Sequence, residues 1–211
     1  WGVTARGVTA LGDGAPDFAA LLAMAARIPG FDRIRFMTSH PKDISQRLLE
    51  TIADNPVIER HLHLPLQAGS DRVLLEMNRG YTRAAYMAIV ENARRMIPGL
   101  TISTDLIVGF PGETEADFQD TLNLMDRVRF DSAFTFLYSP REGTPAATRT
   151  DQVTPDDMRD RFKRLVDKQD EHSLASNRTV VDTLQRVLIE GESTRPGIYT
   201  GRTTHNRLVN F

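Results

Sequence analysis

At 211 residues, 40% hydrophobic and 26% charged, the chain has the composition of an ordinary globular protein, and disorder is excluded as its main state. Its 26 basic and 28 acidic residues leave a net charge of −2, which gives no global electrostatic reason for a nucleic-acid or membrane partner. There is no cysteine, which excludes a disulfide scaffold, a thiolate metal site, an iron–sulfur cluster held by this chain alone and a cysteine nucleophile.

No apolar run approaches the roughly 18 to 20 residues of a membrane span, and the opening Trp1-Gly-Val-Thr-Ala-Arg lacks the pattern of a secretory leader, so a cytoplasmic location without membrane contact is the expectation. Lys42, Lys163 and Lys168 are the only lysines, and we read the arginine bias as compositional rather than as a nucleic-acid footprint. In chain order, residues 16–28 read as a helix stopped at Pro29-Gly30, and Arg33–Met37 alternates like a strand before the polar turn Thr38-Ser-His-Pro41. A helix begins near Ile44, with Leu48, Leu49 and Ile52 on its apolar face. His61–Leu66 is a second strand, followed by Gln67-Ala-Gly-Ser70, a helical stretch from Asp71 to Asn78, a break at Gly80 and a helix from Thr82 to Met96. Leu100–Val108 is a third strand, ending in Gly109-Phe-Pro-Gly-Glu-Thr114 and a helix over Glu115–Val128, and Ser132–Tyr138 closes the series.

Strands spaced by roughly 30 to 40 residues with helices between them imply parallel strands and right-handed crossovers, either as a doubly wound sheet or as part of a β/α barrel. Both architectures place the working site at the carboxyl ends of the strands, where the polar loops fall. After an irregular stretch from Ser139 to Val153, Thr154-Pro-Asp-Asp157 has the form of a helix start. The helix is expected to run to about Ser176 on a stripe of Met158, Phe162, Leu165 and Val166. A second region follows, with strand-like Thr179–Glu190, a turn, and a hairpin from Tyr199 to Phe211. From His172 onward five arginines face three acids, a local excess of positive charge.

Asp105 sits in an apolar strand, where a carboxylate costs several kcal/mol unless it is paired, so it is either a structural ion pair or the partner of a ligand hydroxyl or cation. Gln67 and Ser70 follow a strand and offer donors and acceptors at its carboxyl edge, and Arg79 is either a carboxylate fork or a solvated helix-end charge. Gly109 and Gly112 form a tight turn that lacks any phosphate-loop pattern. His61 and His63 are two apart on a strand; with His40 and Asp105 they suggest a barrel metallohydrolase, but they lie about 13 Å of extended chain before Gln67, towards the wrong end of the strand.

Five segments in register, Arg35-Phe-Met-Thr-Ser-His-Pro41, His61-Leu-His-Leu-Pro-Leu-Gln-Ala-Gly-Ser-Asp71, Met77-Asn-Arg-Gly-Tyr-Thr82, Ser103-Thr-Asp-Leu-Ile-Val-Gly-Phe-Pro-Gly-Glu-Thr114 and Tyr138-Ser-Pro-Arg-Glu-Gly-Thr-Pro-Ala-Ala147, resemble the radical-SAM methylthiotransferases. The match is nearest to the MiaB type, which adds a methylthio group to C2 of N6-isopentenyladenosine at position 37, in the anticodon loop of tRNA. Gly201–Phe211 resembles the first half of the RNA-binding TRAM barrel that ends such enzymes. The resemblance implies an α/β fold: a partial β/α, TIM-like barrel over 1–176, followed over 177–211 by the beginning of a small all-β TRAM-like barrel. It implies S-adenosyl-L-methionine (SAM) bound by Ser39, His40, Gln67, Arg79 and Asp105, with Asp105 on ribose hydroxyls and Arg79 and Gln67 on the methionine end or the ribose. Substrate contacts are implied for Arg141 and Thr144, and RNA contacts for Arg202, Asn206 and Arg207.

The family's three-cysteine loop, which holds the [4Fe–4S] cluster, has no counterpart here, so the chain reads as a fragment that is inactive by itself and contributes no metal ligand and no catalytic residue. Exposed barrel edges would let it dimerise. Alternatives are a methylthiotransferase acting on threonylcarbamoyladenosine or a ribosomal protein, a non-catalytic RNA-binding module, and the hydrolase using His61 and His63.

Overall fold

The computed structural model describes residues 17–37 and 40–211. Six helices are described: α1 (Phe18–Ala25), α2 (Gln46–Asp54), α3 (Asp71–Glu76), α4 (Arg83–Met96), α5 (Glu115–Val128) and α6 (Pro155–Arg178). The strands are β1 (His61–His63), β2 (Thr101–Val108), β3 (Ser132–Leu137), β4 (Val187–Glu192), β5 (Tyr199–Thr203) and β6 (Leu208–Asn210). They form two sheets, in the orders β1–β2–β3 and β4–β5–β6. The expected α/β class, with parallel strands joined by helices and an antiparallel C-terminal sheet, is the one found.

The chain divides into two compact units. One comprises the described residues up to His63 with 91–101 and 182–211; its buried apolar residues include Leu48, Leu49, Ile52, Ile58, Leu62, Ala93 and Ile97. The expected strand over Arg33–Met37 shrinks to one parallel bridge, Ile34 with Ile58. The chain opposite it is turning, with Ile58 N–H bonded to Asn55 O at 3.0 Å, so only one residue offers an extended partner. Within this unit Glu59 is buried and accepts from Arg35 Nε at 2.9 Å, with Arg33 Nη1 at 3.6 Å. Arg33 also donates to Arg202 O at 2.7 Å, which ties the segment before the bridge to β5. The strand expected over Thr179–Glu190 starts only at Val187, because α6 runs to Arg178 and hydrogen-bonded turns carry the chain on to Val181.

The second unit comprises 64–90 and 102–181. Here β2 and β3 pair in parallel with Asp105 opposite Phe134 and Ile107 opposite Phe136, and Gln67 makes a parallel bridge to Leu106. Phe118, Leu124, Met125, Val128 and Phe130 are buried with Ile102, Leu106 and Val108. Helix α5 keeps the expected limits, fixed at its start by a reciprocal capping box between Thr114 and Asp117. Thr154 caps α6 as expected, but the buried row of that helix is Arg161, Leu165, Gln169 and His172 rather than an apolar stripe. Each polar member finds a partner: Arg161 Nη1 donates to Glu113 O at 2.9 Å, Gln169 Nε2 to Phe130 O at 3.0 Å, and His172 Nε2 lies 3.0 Å from Asp126 Oδ1.

Tyr86 is fully buried, packs edge-on to Phe130 and donates its hydroxyl to Leu64 O at 2.8 Å. Tyr86→Phe keeps the ring and removes one of two hydroxyl donors to that carbonyl, which still accepts from Thr104 Oγ1 at 2.8 Å, so a loss of about 1 kcal/mol is expected. Urea unfolding with an unchanged m-value is the check.

Candidate functional site

The second unit contains a cavity of about 790 Å³ at the carboxyl ends of its strands. Its floor is laid by the alternation of β2: Asp105 and Ile107 are both half-buried and both line the cavity, as does Phe136 opposite Ile107. Gln67 is placed beside them by two backbone bonds, its N–H to Asp105 O at 2.8 Å and its carbonyl from Ile107 N–H at 2.9 Å. The residue has φ +69, a left-handed conformation that a glutamine holds only when its surroundings over-determine it. One side of the cavity is formed by Glu76, Met77 and Asn78 at the end of α3, and the other by Tyr138, Ser139, Arg141, Thr144 and Ala146. Phe110 and Tyr138, which also line it, meet edge to face at 5.4 Å over an apolar cluster of Ala68, Val73 and Leu74.

The Gly109–Thr114 turn is a hub of polar contacts. Gly109 N–H donates to Glu113 Oε2 at 2.8 Å, and Arg161 Nη1 reaches the same oxygen at 3.1 Å. Burial pushes the Glu113 carboxyl up, against the pull of these two partners. Asp117 is in the opposite state. Burial would raise its carboxyl, yet hydrogen bonds from Arg72, Ser70 and Thr114 hold it well below the usual carboxylate range. Ser70 Oγ is 2.6 Å away and Thr114 Oγ1 2.5 Å. Ser70 thus serves the scaffold, as the cap of α3 and a partner of Asp117.

Of the residues singled out in the sequence, Gln67, Asp105, Arg141 and Thr144 line this cavity together. Arg79 is half-buried: Nε donates to Tyr81 Oη at 3.3 Å, the Tyr81 hydroxyl donates to Leu66 O at 2.9 Å, and Nη2 is buried with no partner among the described residues. His40 belongs to the other unit, where Nδ1 accepts from Lys42 N–H at 3.2 Å and starts a short 3₁₀ turn. Ser39 lies outside the described residues. In β5 and the turn after it, Arg202 Nε lies 3.3 Å from Glu190 Oε2 and its Nη1 lies 3.3 Å from Asn206 O, while Arg207 O accepts from Thr203 N–H at 2.9 Å and Arg207 N–H donates to Thr203 Oγ1 at 3.2 Å within the same hairpin.

His61 and His63 are buried in β1, and His61 Nδ1 lies 3.1 Å from Thr101 Oγ1. No group of three His, Asp or Glu side chains placed to hold a metal occurs among the described residues, so the hydrolase reading has no geometric basis there. Sequence reasoning missed the aromatic wall of Phe136 and Tyr138 and the carboxylate of Glu76. The alternation of β3 marked a strand, but only its register against β2 decides which of its aromatic residues face the cavity.

A profile of the Radical SAM superfamily matches residues 7–125. The chain is 50% identical over 196 residues to the tRNA-2-methylthio-N(6)-dimethylallyladenosine synthase of Alkaliphilus oremlandii, covering 92% of this chain and 42% of that protein. The Geotalea uraniireducens protein of the same name is 50% identical over 94% of this chain and 45% of its own length, and that of Nitrosomonas europaea 48% identical over 92% and 44%. The chain thus spans less than half the length of these relatives. Among solved structures, coproporphyrinogen III oxidase (HemN) from Escherichia coli, described as a Radical SAM enzyme, superposes with a TM-score of 0.56 at 16% identity, over 84% of this chain and 50% of that one. At that identity the likeness speaks to the fold alone.

Proposed function

The chain belongs to the Radical SAM superfamily, and from that premise we propose that it is the later β/α part of a tRNA methylthiotransferase, which adds a methylthio group to C2 of an N6-modified adenosine at position 37 in the anticodon loop. The observation that carries this reading is the identity of about half of all residues, over more than nine-tenths of the chain, to proteins named for that synthase activity. Residues 1–176 are the barrel part in this reading, and 177–211 the start of an RNA-binding TRAM module.

The cavity fits the adenosyl ligand of this superfamily in three respects. Its 790 Å³ suits a ligand of nucleoside size, its walls carry aromatic rings, and one carboxylate stands on its floor. When bound, SAM supplies the radical precursor and the methyl group. Asp105 would accept ribose hydroxyls and Gln67 would offer its amide beside them, while Arg79, which is not among the lining residues but has a buried Nη2 with no partner among the described residues, would hold a carboxylate. Arg141 and Thr144 face the nucleotide substrate from the wall, and Arg202, Asn206 and Arg207 give the C-terminal sheet its positive edge towards RNA. The donor set does not fit a [4Fe–4S] cluster, because the chain has no cysteine.

The test is deletion of the gene and mass spectrometry of nucleosides from bulk tRNA. Loss of the 2-methylthio-N6-isopentenyl nucleoside, with its unthiolated precursor accumulating, is the expected result. Loss of a methylthio-threonylcarbamoyl nucleoside would keep the reaction and change the substrate, and an unchanged profile would overturn the reading. For the ligand, Asp105→Asn exchanges a charged acceptor for a neutral one and is expected to weaken SAM binding by about tenfold or more. Titration calorimetry measures this, with circular dichroism to show the fold intact.

A further inference from the structure

We infer that Arg149 is a positioning residue that seats the segment 139–151 as a wall of the cavity, and that its pairing with Glu76 thereby sets how tightly the cavity holds its ligand; the second clause rests on the reading of this cavity as an adenosyl site.

The segment has little regular structure of its own, only a short 3₁₀ turn at Pro145–Thr148 and local bonds such as Thr144 N–H to Arg141 O at 3.1 Å. Its residues Arg141, Thr144 and Ala146 nevertheless form one side of the cavity, so something must fix it against the rest of the unit. Four contacts converge on Arg149 or its immediate neighbourhood. The guanidinium forks onto Asp151, Nε to Oδ1 at 2.8 Å and Nη2 to Oδ2 at 2.5 Å. Its Nη1 pairs with Glu76, itself a cavity residue at the end of α3. Its Cζ lies 5.9 Å from the centre of the Phe110 ring, another cavity residue. Gly112 N–H donates to Asp151 O at 2.7 Å.

The cradle is shaped for this side chain. A Cβ on Gly112 would stand 2.4 Å from Arg149 Nη2 and 2.5 Å from Asp151 Oδ2, so the glycine leaves the room the fork occupies. Glu76 is held from the other side by Arg72 Nη1 at 2.7 Å, and Arg72 also donates to Gly112 O at 2.7 Å. A carboxylate between two guanidiniums thus joins α3, the Gly109–Thr114 turn and the 139–151 segment around the opening. Glu76 and Arg149 are 73 positions apart in sequence, which leaves no local reason for the pair. Pre-organising one wall lowers the ordering cost of binding and so raises affinity.

The test uses the purified protein with Arg149→Leu, Arg149→Lys and Glu76→Gln. Hydrogen exchange by mass spectrometry reads the wall without any ligand, and calorimetry with SAM reads affinity. Arg149→Leu is expected to speed exchange over 139–147 at least tenfold while 101–108 and 115–128 stay protected, and to weaken SAM binding about tenfold. Lysine, which keeps the charge and loses the fork, is expected to fall between, and Glu76→Gln, which removes the carboxylate charge between the two guanidiniums, to shift both readouts in the same direction as Arg149→Leu. Unchanged exchange over 139–147 would overturn the inference. So would faster exchange with unchanged affinity, because the wall would then be irrelevant to the ligand. Uniformly faster exchange in all variants would mean a role in global stability and equally overturn it. If the unaltered protein shows no SAM binding, the adenosyl reading fails and the affinity clause falls with it, whereas binding indifferent to Arg149 overturns this inference alone.

Discussion

Asp117→Ala is expected to destabilise the protein by about 3–5 kcal/mol, the range for removing one partner of a buried, hydrogen-bonded charge. The carboxylate is 8% exposed and accepts from Ser70 Oγ, from Thr114 N–H and Oγ1, and from Arg72. Alanine therefore removes the reciprocal half of the α5 capping box, strands the Ser70 hydroxyl and releases Arg72, which also braces Glu76. The effect depends on pH in a definite direction. The carboxyl lies below its ordinary value in the folded state, so its contribution is fully present above the unfolded value of about 3.9 and fades as pH falls towards the folded one. Urea unfolding of both proteins from pH 7 downward should show a constant gap to about pH 5 and a closing gap below it. A gap that widens in acid, or one below 1 kcal/mol at pH 7, would mean that the four bonds do not act on folding.

Local chemistry carried much of the fold into the sequence. The limits of α5 were readable because Thr114 and Asp117 can satisfy each other's backbone groups whatever lies around them. Asp105 marked the site because a carboxylate amid Ile102, Leu106 and Val108 calls for a partner. What stayed hidden depends on distant pairing. The α6 residues that go inward include Arg161 and Gln169, which a periodicity argument assigns to solvent; their partners Glu113 and Phe130 lie on other elements. Phe136 and Tyr138 belong to the cavity only through the register of β3 on β2. Two histidines on one strand suggested a ligand pair, but strand geometry brings no third ligand to them among the described residues, and His61 finds a threonine.

Gly69 ties this scaffold to the site, and Gly69→Ala tests how tightly. A Cβ there would stand 2.4 Å from Thr121 Cα, 2.7 Å from Asp120 O and 2.8 Å from Thr121 N, all backbone atoms of α5. No flexible side-chain end can move aside, so loop and helix must separate. The Gly69 N–H bond to Thr121 Oγ1, now 2.9 Å, stretches first. Because α5 is the stiffer partner, the loop yields, and it carries both Ser70, bonded to Asp117, and Gln67, held left-handed at the cavity floor. Overpacking of this kind costs about 3 kcal/mol, and here it is also expected to displace Gln67 and weaken SAM binding. Gly197→Ala is the contrast: φ is +78 with open space around the added carbon, so only the left-handed conformation is penalised, by about 1–2 kcal/mol. Thermal unfolding with calorimetric titration separates the two. If Gly69→Ala proved no worse than Gly197→Ala, the loop would have room that this close approach denies. If it lost stability but kept its affinity for SAM, Gln67 would be held by its bonds to Asp105 and Ile107 rather than by the loop's seat on α5.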